Sequence, residues 1–458
     1  MNIDPEVQRQ RMLTTPIPKL ICTLAIPTTA SQLISTIYNT ADTYFVSQIG
    51  TSASAAVGVV FALMSIIQAL GFGLGMGASS LISRRLGAKQ NEEANKYASS
   101  AVAAAFVAGC TVMVLGLAAL NPLMRLLGST ETMLPYSASY GRIILMGAPI
   151  MCTAFTLNGI LRAEGEAFLA MWGLCTGGIL NMILDPILIF GFHMGIAGAA
   201  LATVFSQIVS FIILASFFVR GKSIVLLKPK SVSGKASDYV LIVTTGAPTF
   251  TRQGLASLAS AMLNVAASAF GDAAVAAVTI SNKIYLLVRN IIIGIGQGFQ
   301  PVAGYNYGAR NYRRTKEAFW FATKLGTVIN IIATILIALN APAVITWFRD
   351  DPEVIRIGTR ALYFACAVMP FMAFSTYVNQ VFQCIGIRVP ATFLASCRQG
   401  VCFVPLALIL PRILGLTGVE MLQPSADLLT FFIAVPFLIH LFSHQQSLEE
   451  EAGPPSAS

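Results

Sequence analysis

The chain has 458 residues, of which 55% are hydrophobic and 11% are charged. Soluble domains carry about 25% charged residues, so this composition excludes an ordinary soluble protein and indicates an integral membrane protein. The formal net charge of +9 would also suit a nucleic-acid-binding protein, but the positions of Lys and Arg, described below, argue against that class.

Twelve apolar segments of helical length recur along the chain, and each is long enough to cross a bilayer. Their approximate bounds are 18–46, 52–80, 96–118, 133–160, 167–190, 197–219, 237–270, 274–301, 317–338, 354–383, 389–410 and 417–442. The sequence therefore predicts an all-α integral membrane protein with twelve transmembrane helices.

The first segment contains a single carboxylate, Asp42, with Tyr38 one helical turn before it on the same face. A carboxylate within a membrane span costs about 2.5–3.5 kcal/mol on insertion scales, so it is a candidate functional group. The alternative is that Asp42 caps a helix or reaches the membrane interface. Pro27, earlier in the same segment, removes one backbone donor and predicts a bend or hinge.

Lys and Arg are distributed unequally between the two sets of connections. One set contains 18 of them, and the alternate set contains only Arg125, Arg349 and Arg412. Basic residues collect on the cytoplasmic side of membrane proteins, so both termini are predicted to be cytoplasmic. The net positive charge then reflects topology, and no nucleic-acid partner is expected.

The chain also repeats itself. A shift of 221 residues aligns Pro27 with Pro248 and Asn158 with Asn379, and the register holds over most of both halves. The sequence predicts an N-lobe (1–219), a basic cytoplasmic linker (220–236), a C-lobe (237–442) and a cytoplasmic tail (443–458). Two six-helix bundles inserted the same way up are related by a pseudo-two-fold axis along the membrane normal, as in transporters that rock two halves about a central site.

The glycine-rich run 71–77 superficially matches a nucleotide-binding fingerprint. It lies inside an apolar span, with neither a preceding strand nor a following acidic residue, so it lacks the required context. Glycines four residues apart in such a span allow close approach of helices. The run is predicted to be a packing surface.

Polar residues of three N-lobe spans are predicted to share one depth in the membrane. Asp42, Asp185 and Thr203 each lie four to six residues from the same end of their spans, and three further polar side chains lie one turn deeper. These three are Tyr38, Asn181 and Gln207. Such an oxygen-rich pocket suits H⁺ or Na⁺. The alternative is a static hydrogen-bonded network that ties the three helices together.

Two sets of site residues follow from this arrangement. The proton- or cation-coupling set is Asp42, Asp185, Asn181, Thr203 and Tyr38, and a Na⁺ ion would be held by Asp42, Asn181, Asp185 and Thr203. The residues predicted to line the substrate cavity are Tyr38, Asn158, Asn181 and Gln207. No cofactor other than the coupling ion is expected.

The sequence offers little for other function classes. None of the three histidines lies in an HExxH motif, so an intramembrane enzyme is not expected. A channel is a further alternative, but the acidic pocket is confined to one half and makes no ring of charges.

These features resemble the multidrug and toxic compound extrusion (MATE) transporters over essentially the whole chain, and most closely their MepA-like and DinF-like bacterial branch. The motif residues are Pro27, Tyr38, Asp42, Asn181, Asp185 and Thr203, with the stretches 161–165 and 424–427. The resemblance implies a secondary antiporter of the bacterial inner membrane. It would act as a monomer among membrane lipids and export amphipathic, preferentially cationic drugs in exchange for H⁺ or Na⁺. The NorM-like branch has acidic residues in spans seven and ten, which this chain lacks.

The second half carries basic residues within its spans: Arg252, Lys283, Arg289 and Arg398. Cations lining the cavity would disfavour a cationic substrate, and the sequence leaves open whether these four do so. It therefore also leaves open a lipid-linked-precursor flippase of the same superfamily, whose cargo is anionic.

Overall fold

The computed structural model describes residues 4–452, and within them it contains helices and no strands. The helices are α1 (Pro5–Thr14), α2 (Ile17–Ser47), α3 (Thr51–Gly87), α4 (Asn91–Ala118), α5 (Leu120–Leu126), α6 (Leu134–Ala163), α7 (Ala167–Pro186), α8 (Gly195–Val219), α9 (Ala236–Ser268), α10 (Asp272–Gly308), α11 (Tyr312–Phe348), α12 (Pro352–Ile385), α13 (Arg388–Ser396), α14 (Phe403–Leu414) and α15 (Leu416–Ala452).

Twelve long helical units follow the twelve predicted spans. α7 continues as one π-helical turn (Ile187–Gly191), and a similar turn (Cys397–Val401) joins α13 to α14 into one unit. In the described residues, eleven of the units are long and apolar enough to cross a membrane. The twelfth is α9, which is 33 residues long, less apolar, and packed against α3. The predicted fold is confirmed.

Several helix ends lie beyond the predicted bounds. α3 and α10 extend to Gly87 and Gly308, because their last two turns pack against each other and need no lipid contact. α1 has no apolar run and was not predicted. It begins at the N-cap Asp4, whose side chain accepts a hydrogen bond from the Glu6 amide.

The units form two bundles, an N-lobe of α2–α8 and a C-lobe of α9–α15, and equivalent contacts recur in both. The Asn158 amide donates to the Ala170 carbonyl at 2.8 Å, and the Asn379 amide donates to the Ala391 carbonyl at 2.6 Å. The next turn of each lobe contains a glycine at positive φ, Gly165 at 87° and Gly386 at 86°. The repeat seen in the sequence is therefore a repeat of structure.

Glycines allow the two lobes to approach backbone to backbone. A Cβ on Gly77 would lie 2.2 Å from the Ile242 carbonyl of α9, and a Cβ on Gly298 would lie 2.5 Å from the Ala25 amide of α2. In the run 71–77, alternate glycines face α6 within the N-lobe and α9 across the seam. The predicted packing role is confirmed.

Hydrogen bonds between the lobes occupy one half of the molecule. We call the end that carries α1, the linker and most Lys and Arg residues the basic end. There Arg84 donates to the Ile385 carbonyl at 3.0 Å and Arg314 to the Thr15 carbonyl at 2.7 Å. The bond furthest from this end joins Asn290 to Thr36 at 2.9 Å. Beyond it, no side-chain hydrogen bond connects the lobes within residues 4–452.

Candidate functional site

Two carboxylates lie inside the N-lobe near the ends of their helices. Asp185 of α7 is fully buried, and Asp42 of α2 is half-buried. One Asp185 oxygen accepts a hydrogen bond from the Asn181 amide at 3.2 Å. The second Asp185 oxygen and Oδ1 of Asp42 are buried and have no partner in the described part of the chain. Buried polar atoms normally have partners, so these two oxygens are free to hold a proton or a small cation.

Two neighbours complete the polar surface around Asp185. The Asn181 amide also lies 3.4 Å from the Thr203 hydroxyl, which donates to the Ala199 carbonyl at 3.1 Å. Tyr38 is buried in the seam between α2 and α7, where a Cβ on Gly178 would lie 2.8 Å from its ring. The structure thus brings Tyr38, Asn181, Asp185 and Thr203 together, and Asp42 lies one turn from Tyr38 on α2.

Tyr140 of α6 is a further member of this site that the sequence analysis missed. It is fully buried, and its hydroxyl donates to the Met64 sulfur at 3.9 Å and lies near Thr203. It stands seven residues inside the predicted fourth span, at the depth shared by Asp42, Asp185 and Thr203. The same depth argument would have found it.

The predicted lining residues of the substrate cavity do not all lie together. Gln207 is buried one turn from Thr203, and its carbonyl oxygen has no partner in the described residues. Asn158 instead lies beside Ala170, about 16 Å along α7 from Asn181, where its amide holds the turn between α6 and α7. It borders a separate narrow polar cleft of about 10 Å³ near the basic end.

Pro27 does not interrupt α2, which is continuous from Ile17 to Ser47. Pro27 leaves the Thr23 carbonyl without its helical donor, and the Ser31 hydroxyl donates back to the Pro27 carbonyl at 2.9 Å. The next residue, Thr28, donates across the lobe seam to the Gly294 carbonyl at 2.7 Å. Pro27 therefore sits where α2 crosses α10, with one fewer intrahelical bond than its neighbours.

The C-lobe interior contains a different set of charges. Arg398 forms an ion pair with Asp427, with Nε to Oδ1 at 2.5 Å, and also donates to the Tyr285 hydroxyl at 2.6 Å. Tyr285 and Gln423 both donate to Asp427, so this carboxylate is fully partnered. Of the other three basic residues, Arg289 is buried, Arg252 is half-buried and Lys283 is exposed.

Glu164 marks a junction at the basic end, outside the membrane-spanning segments. It is fully buried and accepts hydrogen bonds from the Ser223 hydroxyl at 2.6 Å and the Ile224 amide at 2.9 Å, both in the linker. Burial raises the pKa of Glu164 from 4.5 to about 8, against the opposite effect of these bonds. Its carbonyl accepts from Gln8 of α1 at 3.0 Å.

The donors near Asp185 are carboxylate, amide and hydroxyl oxygens, which are the ligands of hard cations. No group of three or more His, Cys, Asp or Glu side chains able to hold a metal occurs in residues 4–452. The N-lobe arrangement thus fits a proton or an alkali cation better than a transition metal.

The model of the MatE family matches this chain twice, over residues 27–187 and 248–409. The two matches begin 221 residues apart, which is the shift of the internal repeat. The chain belongs to the MatE family.

Relatives and solved structures agree with this assignment. The chain is 26% identical to the multidrug export protein MepA of Staphylococcus saprophyticus over 396 residues, covering 86% of this chain and 87% of MepA. A crystal structure of MATE in complex with MaL6 matches with a TM-score of 0.91 at 30% identity, covering 95% of this chain and 99% of the other.

Two further structures resemble the chain equally closely. One is an outward-facing multidrug resistance MATE transporter of the MOP superfamily, with a TM-score of 0.91 at 30% identity and coverage of 95% and 98%. The other is a MOP superfamily transporter from Pyrococcus furiosus Vc1, described by a binding pocket of reverse polarity that suggests a different function. Its TM-score is 0.89 at 29% identity, with coverage of 95% and 98%.

The family predicted from the sequence is therefore confirmed, as is a multi-pass membrane protein. The relatives are named as export proteins, which confirms the prediction of a transporter and not an enzyme.

Proposed function

We propose that this protein is a secondary active multidrug efflux antiporter. It exports amphipathic compounds, preferentially cationic ones, in exchange for H⁺ or Na⁺. The observation that carries the proposal is the pair of N-lobe carboxylates, Asp42 and Asp185, each with a buried oxygen that has no partner in the described residues. The export of drugs by the MepA relatives supports the substrate class.

Exchange requires that the drug cation and the coupling ion compete for the negative charge of the carboxylate pair, so that both cannot bind it at the same time. A proton or Na⁺ on the carboxylate pair neutralises it, and release of that ion restores a site for a drug cation. Asn181 and Thr203 orient Asp185, and Tyr38 closes the seam on the α2 side. For Na⁺, the ligands would be Asp42, Asn181, Asp185 and Thr203. The ion drives transport only through its different affinity for the two conformations.

Alternating access would come from rocking of the N-lobe against the C-lobe. The hydrogen bonds between the lobes lie between the basic end and the Asn290–Thr36 bond, which supports a state closed at the basic end. Similarity to an outward-facing transporter agrees with this state. Pro27 is the proposed hinge, because α2 is weakest there and crosses α10 beside it.

Orientation and domain bounds complete the proposal. The basic end would face the cytoplasm of a bacterium, with both termini inside and the protein monomeric in the inner membrane. The functional units would be 1–219, the linker 220–236, 237–442 and the tail 443–458. Residues 1–3 and 453–458 lie outside the described residues, and α15 continues into the tail as far as Ala452.

For the cavity we propose Tyr38, Asn181 and Gln207 as substrate-facing residues beside the carboxylates. Asn158 is retained in the proposed lining through the cleft that it borders. Its amide already holds the Ala170 carbonyl, so substitution there would act partly through the α6–α7 turn. Efflux assays of Asn158→Ala and Gln207→Ala at equal expression distinguish direct contact with the substrate from an indirect effect on the fold. Loss of efflux for only some drugs indicates a residue that lines the cavity, and equal loss for all drugs indicates a structural role.

A flippase for lipid-linked anionic precursors is the second candidate. The observation in its favour is the positive charge of Arg252 and Arg289 inside the C-lobe. The N-lobe carboxylates and the drug-exporting relatives favour the antiporter.

Reconstituted vesicles with separately imposed pH and Na⁺ gradients test the proposal. Efflux of a fluorescent drug cation such as ethidium should follow one of the two gradients and stop when an ionophore collapses it. Efflux that ignores both gradients would overturn the proposed antiport.

A further inference from the structure

Three arginines meet in the C-lobe interior, and only one of them is paired with a carboxylate. Arg252 of α9, Arg289 of α10 and Arg398 between α13 and α14 come from helices that meet here. Arg398 donates to Tyr285, one turn before Arg289, and Leu255, one turn after Arg252, lies against Gly400. Asp427 is the carboxylate, and Arg398 binds it through both Nε and an Nη atom, at 2.5 and 3.3 Å. One negative charge thus faces three positive charges.

Asp427 has no capacity left for the other two arginines. Besides Arg398, it accepts hydrogen bonds from Tyr285 and from Gln423, the latter at 3.1 Å. Within residues 4–452, neither Arg252 nor Arg289 donates a hydrogen bond or forms an ion pair. Arg289 is only 7% exposed, and its buried Nε has no partner there.

A buried guanidinium without a partner is costly and calls for an anion. The surroundings do not offer one. The nearby carboxylate Glu420 is bound by Arg360 through both oxygens, at 2.5 and 2.9 Å. Lys283, six residues before Arg289 on α10, is exposed and adds no negative charge.

A cavity adjoins the cluster. It measures about 40 Å³, and its border includes Tyr285 and Gln423, the two neutral donors to Asp427, and the carboxylate Glu420, which Arg360 already binds. Arg289 follows Tyr285 one turn further along the same face of α10. The next residue, Asn290, makes the lobe-crossing bond to Thr36, so the arginines stand immediately beyond the seam between the lobes.

We propose that Arg252 and Arg289 form an anion-binding site of the C-lobe, with Arg398 fixed between them by Asp427. Its ligand is an amphiphile with a phosphate or carboxylate group. Planar guanidinium groups bind both anions through paired hydrogen bonds. The site deepens the proposed function by widening the substrate class to anionic and zwitterionic amphiphiles. The same chemistry is offered by a lipid headgroup and by a free amphiphile.

Equilibrium binding to the purified full chain in phosphatidylcholine nanodiscs tests the site. The probes share one alkyl chain: dodecyl phosphate, dodecanoate and dodecyltrimethylammonium. Arg289→Gln should weaken binding of both anions about tenfold, as expected for the loss of charge-assisted hydrogen bonds. Arg252→Gln should weaken it in the same direction, and Arg289→Lys less than Arg289→Gln.

Lys283→Gln is the matched control, because it removes the same charge from the same helix at an exposed position. It should bind the anions like the wild type. Thermal unfolding of each variant checks folding, and Arg289→Lys and Arg252→Gln keep the test decisive if Arg289→Gln does not fold. No ion gradient is applied, so the result does not depend on whether export is ion-coupled.

Analysis of co-purified lipids identifies the source of the anion. Anionic lipid retained by the wild type and lost from Arg289→Gln supports a lipid headgroup, whereas equal lipid content with weaker probe binding supports a free amphiphile. Equal anion affinity in the wild type and all arginine variants would overturn the proposal. Anion binding that is absent from the wild type and appears only in Asp42→Asn would also overturn the proposal. The arginines would then act as counter-charges to the N-lobe carboxylates.

Discussion

The N-lobe and the C-lobe have the same helical plan and opposite interiors. Near the far end of the N-lobe, Asp42 and Asp185 have no ion-pair partner in the described residues, whereas the C-lobe carboxylates Asp427 and Glu420 are each paired with an arginine. The repeat shows where they diverge: a shift of 221 residues places Leu263 at the position of Asp42. A shift of 220, which holds near the end of the chain, places Asp427 at the position of Gln207. The backbone repeat builds the scaffold, and a few substitutions give each half its own chemistry.

Removal of the N-lobe charge should have the largest effect on transport. Asp42→Asn and Asp185→Asn should each reduce gradient-driven efflux to the level of empty vesicles, because the amide mimics a permanently neutral site. Drug efflux under an imposed gradient is the measurement. Asp272→Asn, an exposed acid at the start of α10, is the control and should transport normally. Wild-type rates in Asp42→Asn would remove Asp42 from the coupling site.

The corresponding Asp-to-Asn substitution in the C-lobe, at Asp427, should lower the stability of the folded protein. Asp427→Asn leaves Arg398 buried beside two other arginines, and loss of one partner of a buried pair costs about 3–5 kcal/mol. Asp42→Asn and Asp185→Asn should leave the unfolding temperature unchanged or raised, since they remove an uncompensated buried charge. Thermal unfolding in detergent compares the three. Equal destabilisation by all of them would contradict the contrast between the lobes.

A smaller loss of stability is expected when a glycine at the contact between the two lobes is substituted. Gly77→Ala should destabilise the protein by about 1–3 kcal/mol, because its Cβ would meet the Ile242 backbone at 2.2 Å. Gly58→Ala on the same helix has open space around it and should stabilise the helix by about 0.5–1 kcal/mol. If the denaturation midpoints of both variants moved in the same direction, close backbone contact would not explain why position 77 is a glycine.

The smallest effect is expected at the linker. The folded-state pKa of Glu164 is raised to about 8, so the protonated form favours the folded state. Its stabilising contribution is full below about pH 4.5 and is lost as the pH rises towards 8. Unfolding temperatures should therefore fall over this window, and Glu164→Gln should reduce the slope. An unchanged slope in Glu164→Gln would assign the pH dependence to other groups.

The sequence predicted the helices well because apolar length is a one-dimensional pattern, whereas the coupling role of the polar residues stays a prediction. Apolar length places the spans, and equal depth brings Asp42, Asp185 and Thr203 together without any knowledge of packing. It failed for α1, whose helix is set by the Asp4 cap and by docking at the basic end.

Side-chain partners could not be predicted in the same way. The pairing of Arg398 with Asp427 depends on which faces of two helices meet, and the engagement of Asn158 with Ala170 depends on a turn. Hydropathy contains neither kind of information. Lys283 and Arg289 look alike in sequence, yet one is exposed and the other is buried.

Proton or Na⁺ release on drug binding tests the central claim most directly. Purified protein in weakly buffered solution is mixed with a drug cation, and the released ion is followed with a pH or Na⁺ indicator. The wild type should release one of the two ions in proportion to bound drug, and Asp42→Asn and Asp185→Asn should release none. Undiminished release from both variants would contradict competition at the N-lobe carboxylates.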